Sequence, residues 1–407
     1  TNITTLEALI NDSGESLTVN ETNSLVIGIG DVTTNNCAIS INLAAGSLTR
    51  TGAINAGISG NITLNASLGA INGTGTITGN VLTARAQNTS SLNTTIKSID
   101  AKVSANGQGL TVVQSGSLAI GAGNIVSTNN GDLNVTLTSS GNLSVTGSLT
   151  AGTGNVTLNT ATGSVATTGL ITGNVLNVTA INTSTLTTNV TTLVANVTGA
   201  ASALTVNETN GLTIGAGNVA TNSGNISINL AAGSLTRTGA INAGISGNIT
   251  LNASLGAING TGTITGNVLT ARAQNTSSLN TTIKSIDAKV SANGQGLTVV
   301  QSGSLAIGAG NIVSTNNGDL NVTLTSSGNL SVTGSLTAGT GNVTLNTATG
   351  SVVTTGLITG NVLNVTAINT STLTTNVTTL VAKVTGAASA LTVNETNGLT
   401  IGAGNVA

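Results

Sequence analysis

Charged side chains are rare in this chain, and they are the residues whose spacing could support chemistry. Only 5% of the 407 residues are charged, and there is no histidine. One mixed-charge cluster occurs twice, as Lys97, Asp100 and Lys102 and again as Lys284, Asp287 and Lys289. Hydrolysis needs two carboxylates at a fixed separation or a nucleophile beside a base. Neither is present in the cluster, so we interpret it as an outward charged cluster on one strand and expect no enzymatic activity.

A second group of polar residues lies near the start of the sequence. In the stretch NDSGES, Asp12 and Glu15 supply carboxylate oxygens of the kind that bind calcium. Their spacing matches no known calcium loop, and a polar turn between strands explains the stretch equally well. Calcium is therefore the single candidate cofactor, and a weak one. Cys37 is the only cysteine, which excludes a disulfide within the chain; we interpret it as a substitution in a turn.

The overall composition narrows the range of partners. The formal net charge is −2, and aromatic residues, proline and methionine are all absent. Nucleic-acid binding normally uses a basic surface and aromatic side chains on which bases stack, so nucleic acid is not expected as a partner. No stretch approaches the roughly 18 apolar residues of a membrane helix, so we expect no membrane insertion. Because 38% of residues are apolar, the chain should fold around a core.

Internal repeats are the strongest signal in the sequence. The segment beginning at Ile39 recurs at an offset of 187, and only two positions differ, Ala166 against Val353 and Asn196 against Lys383. A weaker half-repeat begins with Leu-Thr-Val at positions 17, 110, 204, 297 and 391, so its period alternates between 93 and 94. A long fixed period of this kind is typical of solenoid proteins.

A third and shorter period predicts the individual turns of the solenoid. Gly131, Gly154 and Gly173 each precede Asn or Asp and an alternating apolar run, with spacings of 23 and 19. We take about 19 residues as one turn, which gives roughly five turns in each half-repeat. In the run NVTLN, Val156 and Leu158 alternate with polar residues, the pattern of a strand buried on one face. The outward Asn and Thr residues are expected to form hydrogen-bonded ladders between turns.

These features predict an all-β fold, a β-solenoid of the parallel β-helix type with a right-handed coil. Proline is absent, as expected where each strand donates hydrogen bonds to its neighbours. Tandem immunoglobulin-like sandwiches of about 93 residues are the main alternative, but they rarely have a core without aromatic residues. A propeller is a weaker alternative, because it would need a closed ring of blades.

The repeats also define the predicted domains. Residues 1–38 form a diverged N-terminal edge, residues 39–225 the first full repeat, and residues 226–407 a second repeat that stops in mid-repeat. We expect end-to-end or lateral self-association, because unpaired strand edges favour polymerisation. The acidic first segment either docks against the last turn of another copy or caps the coil and blocks addition. The predicted contact residues are Glu7, Asp12, Glu15, Glu21 and Asp31 at the N-terminal edge and Ile401 and Val406 at the C-terminal edge.

Two stretches, GNVTLNTATGSVATTG and GNLSVTGSLTAGTG, resemble the β-helical repeats of filamentous-haemagglutinin-like bacterial exoproteins and related β-strand-repeat surface proteins. The resemblance covers nearly the whole chain and rests on a compositional pattern. It implies a secreted protein at the cell surface that forms a fibre, sheath or stalk. The alternative is an adhesin, or a glycan- or ice-binding module, that uses a flat face rich in Asn and Thr. The predicted partners are therefore other copies of the chain and cell-surface glycans.

Overall fold

The computed structural model describes the backbone of residues 1–407 and every side chain except that of residue 405. All regular secondary structure in it is β-strand, and the strands pair in parallel. The chain divides into two compact units, Thr1–Gly199 and Ala200–Ala407. Within each unit the strands stack as successive turns of a coil. The predicted β-solenoid is therefore confirmed, whereas its handedness stays a prediction.

The first unit contains the strands β1 to β20, the last of which ends one residue beyond the unit. Their bounds are β1 Thr5–Ile10, β2 Leu17–Glu21, β3 Leu25–Thr34, β4 Ile39–Leu43, β5 Leu48–Arg50, β6 Ile54–Asn55, β7 Ile62–Ala66, β8 Ile71–Gly73, β9 Thr76–Ala86, β10 Ser90–Asn106, β11 Leu110–Gln114, β12 Leu118–Ile120, β13 Ile125–Asn129, β14 Leu133–Leu137, β15 Leu143–Val145, β16 Ser148–Thr150, β17 Val156–Thr160, β18 Val165–Thr167, β19 Ile171–Ala180 and β20 Ser184–Ala200.

The second unit contains the strands β21 to β41. Their bounds are β21 Leu204–Glu208, β22 Leu212–Asn222, β23 Ile226–Leu230, β24 Leu235–Arg237, β25 Ile241–Asn242, β26 Ile249–Ala253, β27 Ile258–Gly260, β28 Ile264–Thr265, β29 Val268–Ala273, β30 Ser277–Thr282, β31 Ser285–Gln301, β32 Leu305–Ile307, β33 Ile312–Leu324, β34 Leu330–Val332, β35 Ser335–Thr337, β36 Val343–Thr347, β37 Val352–Thr354, β38 Ile358–Ala367, β39 Ser371–Val384, β40 Leu391–Glu395 and β41 Thr400–Val406.

The predicted 19-residue turn is wrong, because the chain makes about 18 turns spaced about 22 residues apart. The interval between paired residues also varies along the coil. Leu133 pairs with Val156, an interval of 23, but Val156 pairs with Leu176, an interval of only 20. The 19-residue marker in the sequence fell on this shortened part of the coil. A half-repeat therefore holds closer to four turns than five.

The core consists of columns of aliphatic side chains that stack from turn to turn. One column runs through Leu110, Leu133, Val156 and Leu176, and each of these side chains is at most 2% exposed. Ile99 and Val103 are buried as predicted. Parallel strands lie about 4.8 Å apart, so a small aliphatic side chain fills the space above its counterpart. An aromatic ring in this position would displace the turns on both sides.

Candidate functional site

The outward charged cluster contains an arginine that the sequence alone did not reveal. Arg85 on β9 lies directly beside Lys102 on β10, and Thr83 lies beside Asp100. The Nη2 atom of Arg85 lies 2.7 Å from Oδ2 of Asp100, and its Nη1 donates to the Asp100 carbonyl oxygen at 3.0 Å. The coil is shortened here, because Arg85 pairs with Lys102 at an interval of only 17 residues. The short turn brings Arg85 next to Asp100, which follows it by 15 residues. A 19-residue turn did not predict this contact.

The same ion pair recurs in the second unit. Arg272 Nη2 lies 2.7 Å from Asp287 Oδ2. These two ion pairs are the only ones among the described residues. The cluster lysines of both units take no part in an ion pair with a described residue, namely Lys97, Lys102, Lys284 and Lys289. Each copy of the cluster therefore presents an arginine held by its aspartate and lysines whose ammonium groups are available to an external anion.

A shallow groove of about 410 Å³ borders Lys102 on the outward face of the first unit. Three rows of side chains define it, because Lys102 pairs with Ser127, and Ser127 pairs with Thr150. Ile125 lies beside Ser148 in the adjacent position, and its side chain is 48% exposed. The groove floor thus combines short hydroxyl side chains with one apolar side chain, below a lysine at the edge.

A register shift lies in the segment of β10 that lines this groove. Lys102 pairs with Ser127, but the next pair is Asn106 with Asn129, so β10 has two more residues than β13 over this interval. Asn129 Nδ2 donates to the Ser104 carbonyl oxygen at 3.1 Å and fixes the irregular segment. Such bulges commonly redirect side chains next to functional sites. This bulge could not be predicted, because the extra residues continue the alternating pattern of the sequence.

An equivalent groove of about 430 Å³ borders Lys289 in the second unit. Lys289 pairs with Ser314, and the register shifts again before Asn293 pairs with Asn316. Because the 187-residue repeats are nearly identical here, the two grooves have the same lining.

The acidic residues of the predicted N-terminal docking surface differ in their surroundings. Glu21 is only 1% exposed, and it cannot serve as a docking residue, because its alternating position in β2 directs it into the coil. Glu7 accepts a hydrogen bond from the Gly30 N–H at 3.1 Å, and Asp31 accepts one from the Ala53 N–H at 2.6 Å. Both therefore connect neighbouring turns.

Asp12 and Glu15, the calcium candidates, are exposed in the loop between β1 and β2. No group of three or more Asp, Glu or Cys side chains able to hold a metal is gathered among the residues that the structure describes. Cys37 contacts the same loop as a free thiol, and its Sγ accepts a hydrogen bond from the Gly14 N–H at 3.0 Å. Calcium binding stays a prediction.

Glu21 belongs to a set of polar residues at equivalent positions, one in each half-repeat, that the sequence analysis missed. Its carboxylate accepts hydrogen bonds from the N–H groups of Ile3, Thr22 and Asn23 and from the Thr1 hydroxyl. These bonds, led by that from Ile3, lower the pKa of Glu21 to about 2, although burial acts in the opposite direction. The full set, in chain order, is Glu21, Gln114, Glu208, Gln301 and Glu395.

The glutamines of this set face a different turn. Gln114 Oε1 accepts from the Thr94 hydroxyl at 2.6 Å, while Nε2 donates to the carbonyl oxygens of Ser115 and Ser117. Gly116 in that turn has a φ of 87°, a conformation that glycine adopts readily. Glutamate and glutamine therefore alternate at this position from one half-repeat to the next, and the turn that follows the residue alternates with them.

Arg50 and Arg237 are fully buried cations without a carboxylate partner. Arg50 donates to the carbonyl oxygens of Gly75 at 2.6 Å and Ser91 at 2.8 Å, and its Nε has no hydrogen-bond partner among the described residues. Its pair on the next turn is Gly73, which has a positive φ and where a Cβ atom would overlap the backbone of Arg50. Burial lowers the pKa of Arg50 to about 10. The internal location identifies a structural role.

The predicted C-terminal contact residues are exposed, Ile401 by 53% and Val406 by 39%.

No helix among the described residues has the length and hydropathy needed to cross a membrane. The fold thus places the chain among the parallel β-solenoids. No protein-family model, curated protein or solved structure matches the chain.

Proposed function

We propose that this chain is a non-enzymatic structural β-solenoid, located outside the cell, that forms a fibre, sheath or stalk by self-association. The extracellular location rests on the resemblance of its repeats to bacterial surface exoproteins. The observation that carries the structural role is the use of polar side chains to join turns. Asn42 Nδ2 donates to Asn20 Oδ1 at 3.1 Å, and Asn80 Nδ2 donates to Asn61 Oδ1 at 3.1 Å.

These amide ladders recur in the second unit, where Asn229 bonds Asn207 at 3.2 Å and Asn267 bonds Asn248 at 3.0 Å. Hydrogen bonds between uncharged groups are little affected by salt, whereas surface ion pairs are screened. A coil held together in this way keeps its stability when ionic strength changes, which suits a structural element exposed to an external medium.

In this proposal, the strand β40 of the second unit makes the contact between copies. The sequence LTVNE occurs twice in the second unit, and the copy Leu204–Glu208 pairs with Ile226–Leu230. The other copy, Leu391–Glu395, pairs with β39 on one side, and no described strand covers its other side. Its inward residues Leu391 and Val393 are therefore half-buried rather than buried. A further turn, from the same polypeptide or from a second copy, would complete the ladder.

Substitutions in this strand test the proposal. The inward substitution Val393→Asp places a charge where the next turn would stack, and the control Thr392→Asp places one on the outward face. We expect the unmodified chain and T392D to form unbranched filaments in electron micrographs at high protein concentration, and V393D to remain dispersed. Monomers in all three samples would refute self-association, and filaments in all three would refute stacking at this edge.

The alternative function is that of an adhesin-like module that binds glycans or ice on an outward face. Ice binding is disfavoured by the register of the outward residues. Thr136 pairs with Asn159, and Asn134 pairs with Thr157, so Asn and Thr alternate within each row. Glycan binding is favoured by a specific feature, the hydroxyl-lined groove beside Lys102.

A further inference from the structure

We propose that the grooves beside Lys102 and Lys289 bind a saccharide chain that carries carboxylate groups. This inference refines the glycan-binding alternative and does not depend on self-association. Lys102 supplies the cation for the carboxylate. It is exposed and has no described ion-pair or hydrogen-bond partner, whereas the neighbouring Arg85 is held by Asp100.

The chemistry of the groove floor favours a saccharide over other anions. Ser127, Ser148 and Thr150 line the groove, and their hydroxyls make no hydrogen bond to a described residue. A sugar ring presents hydroxyls along its edge and C–H groups on its face. The free hydroxyls can pair with the ring edge, and the exposed side chain of Ile125 can contact the ring face.

The position of the groove favours an extended ligand. The three rows that line it belong to consecutive parallel strands, about 4.8 Å apart, so polar groups recur across the face at a constant interval. The bulge after Lys102 borders the groove, since Ser104 and Asn129 are among its lining residues. A polymer lying across the strands therefore meets a cation, hydroxyls and an apolar contact in sequence, and each chain offers this arrangement twice.

Lys383 provides a matched control, because it is exposed at the half-repeat counterpart of Lys102. Its strand neighbours differ, since Thr366 lies beside it where Arg85 lies beside Lys102. Val381 replaces Asp100 two positions earlier. The substitution Lys383→Gln removes the same charge from the same outward face without altering either groove.

The experiment measures binding of polygalacturonate by calorimetry at low salt, with methyl-esterified polygalacturonate as the uncharged counterpart. We expect the unmodified chain and K383Q to bind polygalacturonate alike, and the double variant K102Q/K289Q to bind about threefold to tenfold more weakly. The ester should bind the unmodified chain more weakly than the acid does. Equal affinity in K102Q/K289Q and K383Q, or no binding by the unmodified chain, would overturn the proposal.

Two further measurements distinguish saccharide binding from general polyanion binding and from self-association. Single-stranded DNA of similar charge density should bind more weakly than polygalacturonate, because it does not match the hydroxyl-lined floor; equal binding would overturn the proposal in favour of a general polyanion surface. Filament formation should be unchanged in K102Q/K289Q, so failure of glycan binding and failure of self-association are observed independently. Circular dichroism establishes that each variant retains its fold.

Discussion

Truncation of Leu158 tests the stacked core most sharply. Leu158 is fully buried and pairs with Val135 on the turn before it and Val178 on the turn after it. The substitution Leu158→Ala leaves a cavity that the neighbours cannot close, because the hydrogen-bonded strands keep the turns at a fixed separation. We therefore expect a loss in the free energy of unfolding near the upper end of the Leu→Ala range, about 3 to 5 kcal/mol.

Urea unfolding followed by far-ultraviolet circular dichroism measures this loss, since the chain has no aromatic fluorophore. The outward control Thr157→Ala should change the free energy of unfolding by about 0.5 kcal/mol or less. Leu345 occupies the same position in the second repeat and is also fully buried, so Leu345→Ala should cost as much as Leu158→Ala. Similar losses for Thr157→Ala and Leu158→Ala would refute the assigned inward and outward faces.

Three other predictions concern buried charge, a turn and pH. Val156→Asp buries an unpaired carboxylate and should lower stability by several kcal/mol, whereas Asn196→Lys, matching Lys383 in the other repeat, should be nearly neutral in thermal melts. A methyl group on Gly75 would overlap the Gly52 carbonyl oxygen, whereas a methyl group on Gly116 would meet no atom within 4 Å and would be opposed only by the positive φ. Gly75→Ala should therefore lower the melting temperature more than Gly116→Ala. The folded-state pKa of Glu21, about 2, lies below its ordinary value of 4.5, so its carboxylate stabilises the fold above pH 4.5 and this contribution is lost as the pH falls towards 2. Glu21→Gln should therefore lower the melting temperature at neutral pH and flatten the decline of the melting temperature in acid. An unchanged pH profile would contradict this account.

The fold could be predicted from the sequence because the information in the sequence is periodic. Near-identical 187-residue copies and the alternation in NVTLN identify stacked strands, and Val156 and Leu158 are buried as that alternation requires. The turn length was predicted less well. Paired residues are separated by intervals of both 23 and 20 within one half-repeat, and a single average cannot describe a coil whose corners change length from turn to turn.

The candidate site was only partly predictable for the same reason. The recurrence of Asp100 and Lys102 marked the outward cluster, but the partner of Asp100 depends on the shortened turn that brings Arg85 beside it. Glu21 looked like one of several surface acids in a diverged segment. Its inward position follows from the alternation in LTVNE. The signal available in the sequence was that Gln114 occupies the equivalent position of the next half-repeat.

Fibre diffraction from oriented filaments of the chain tests the central proposal most directly. If copies join end to end through their terminal turns, the turns stack along the filament and the reflection near about 4.8 Å lies on the meridian. The same reflection on the equator would contradict end-to-end stacking, and the absence of filaments at any accessible concentration would contradict the structural role proposed for this solenoid.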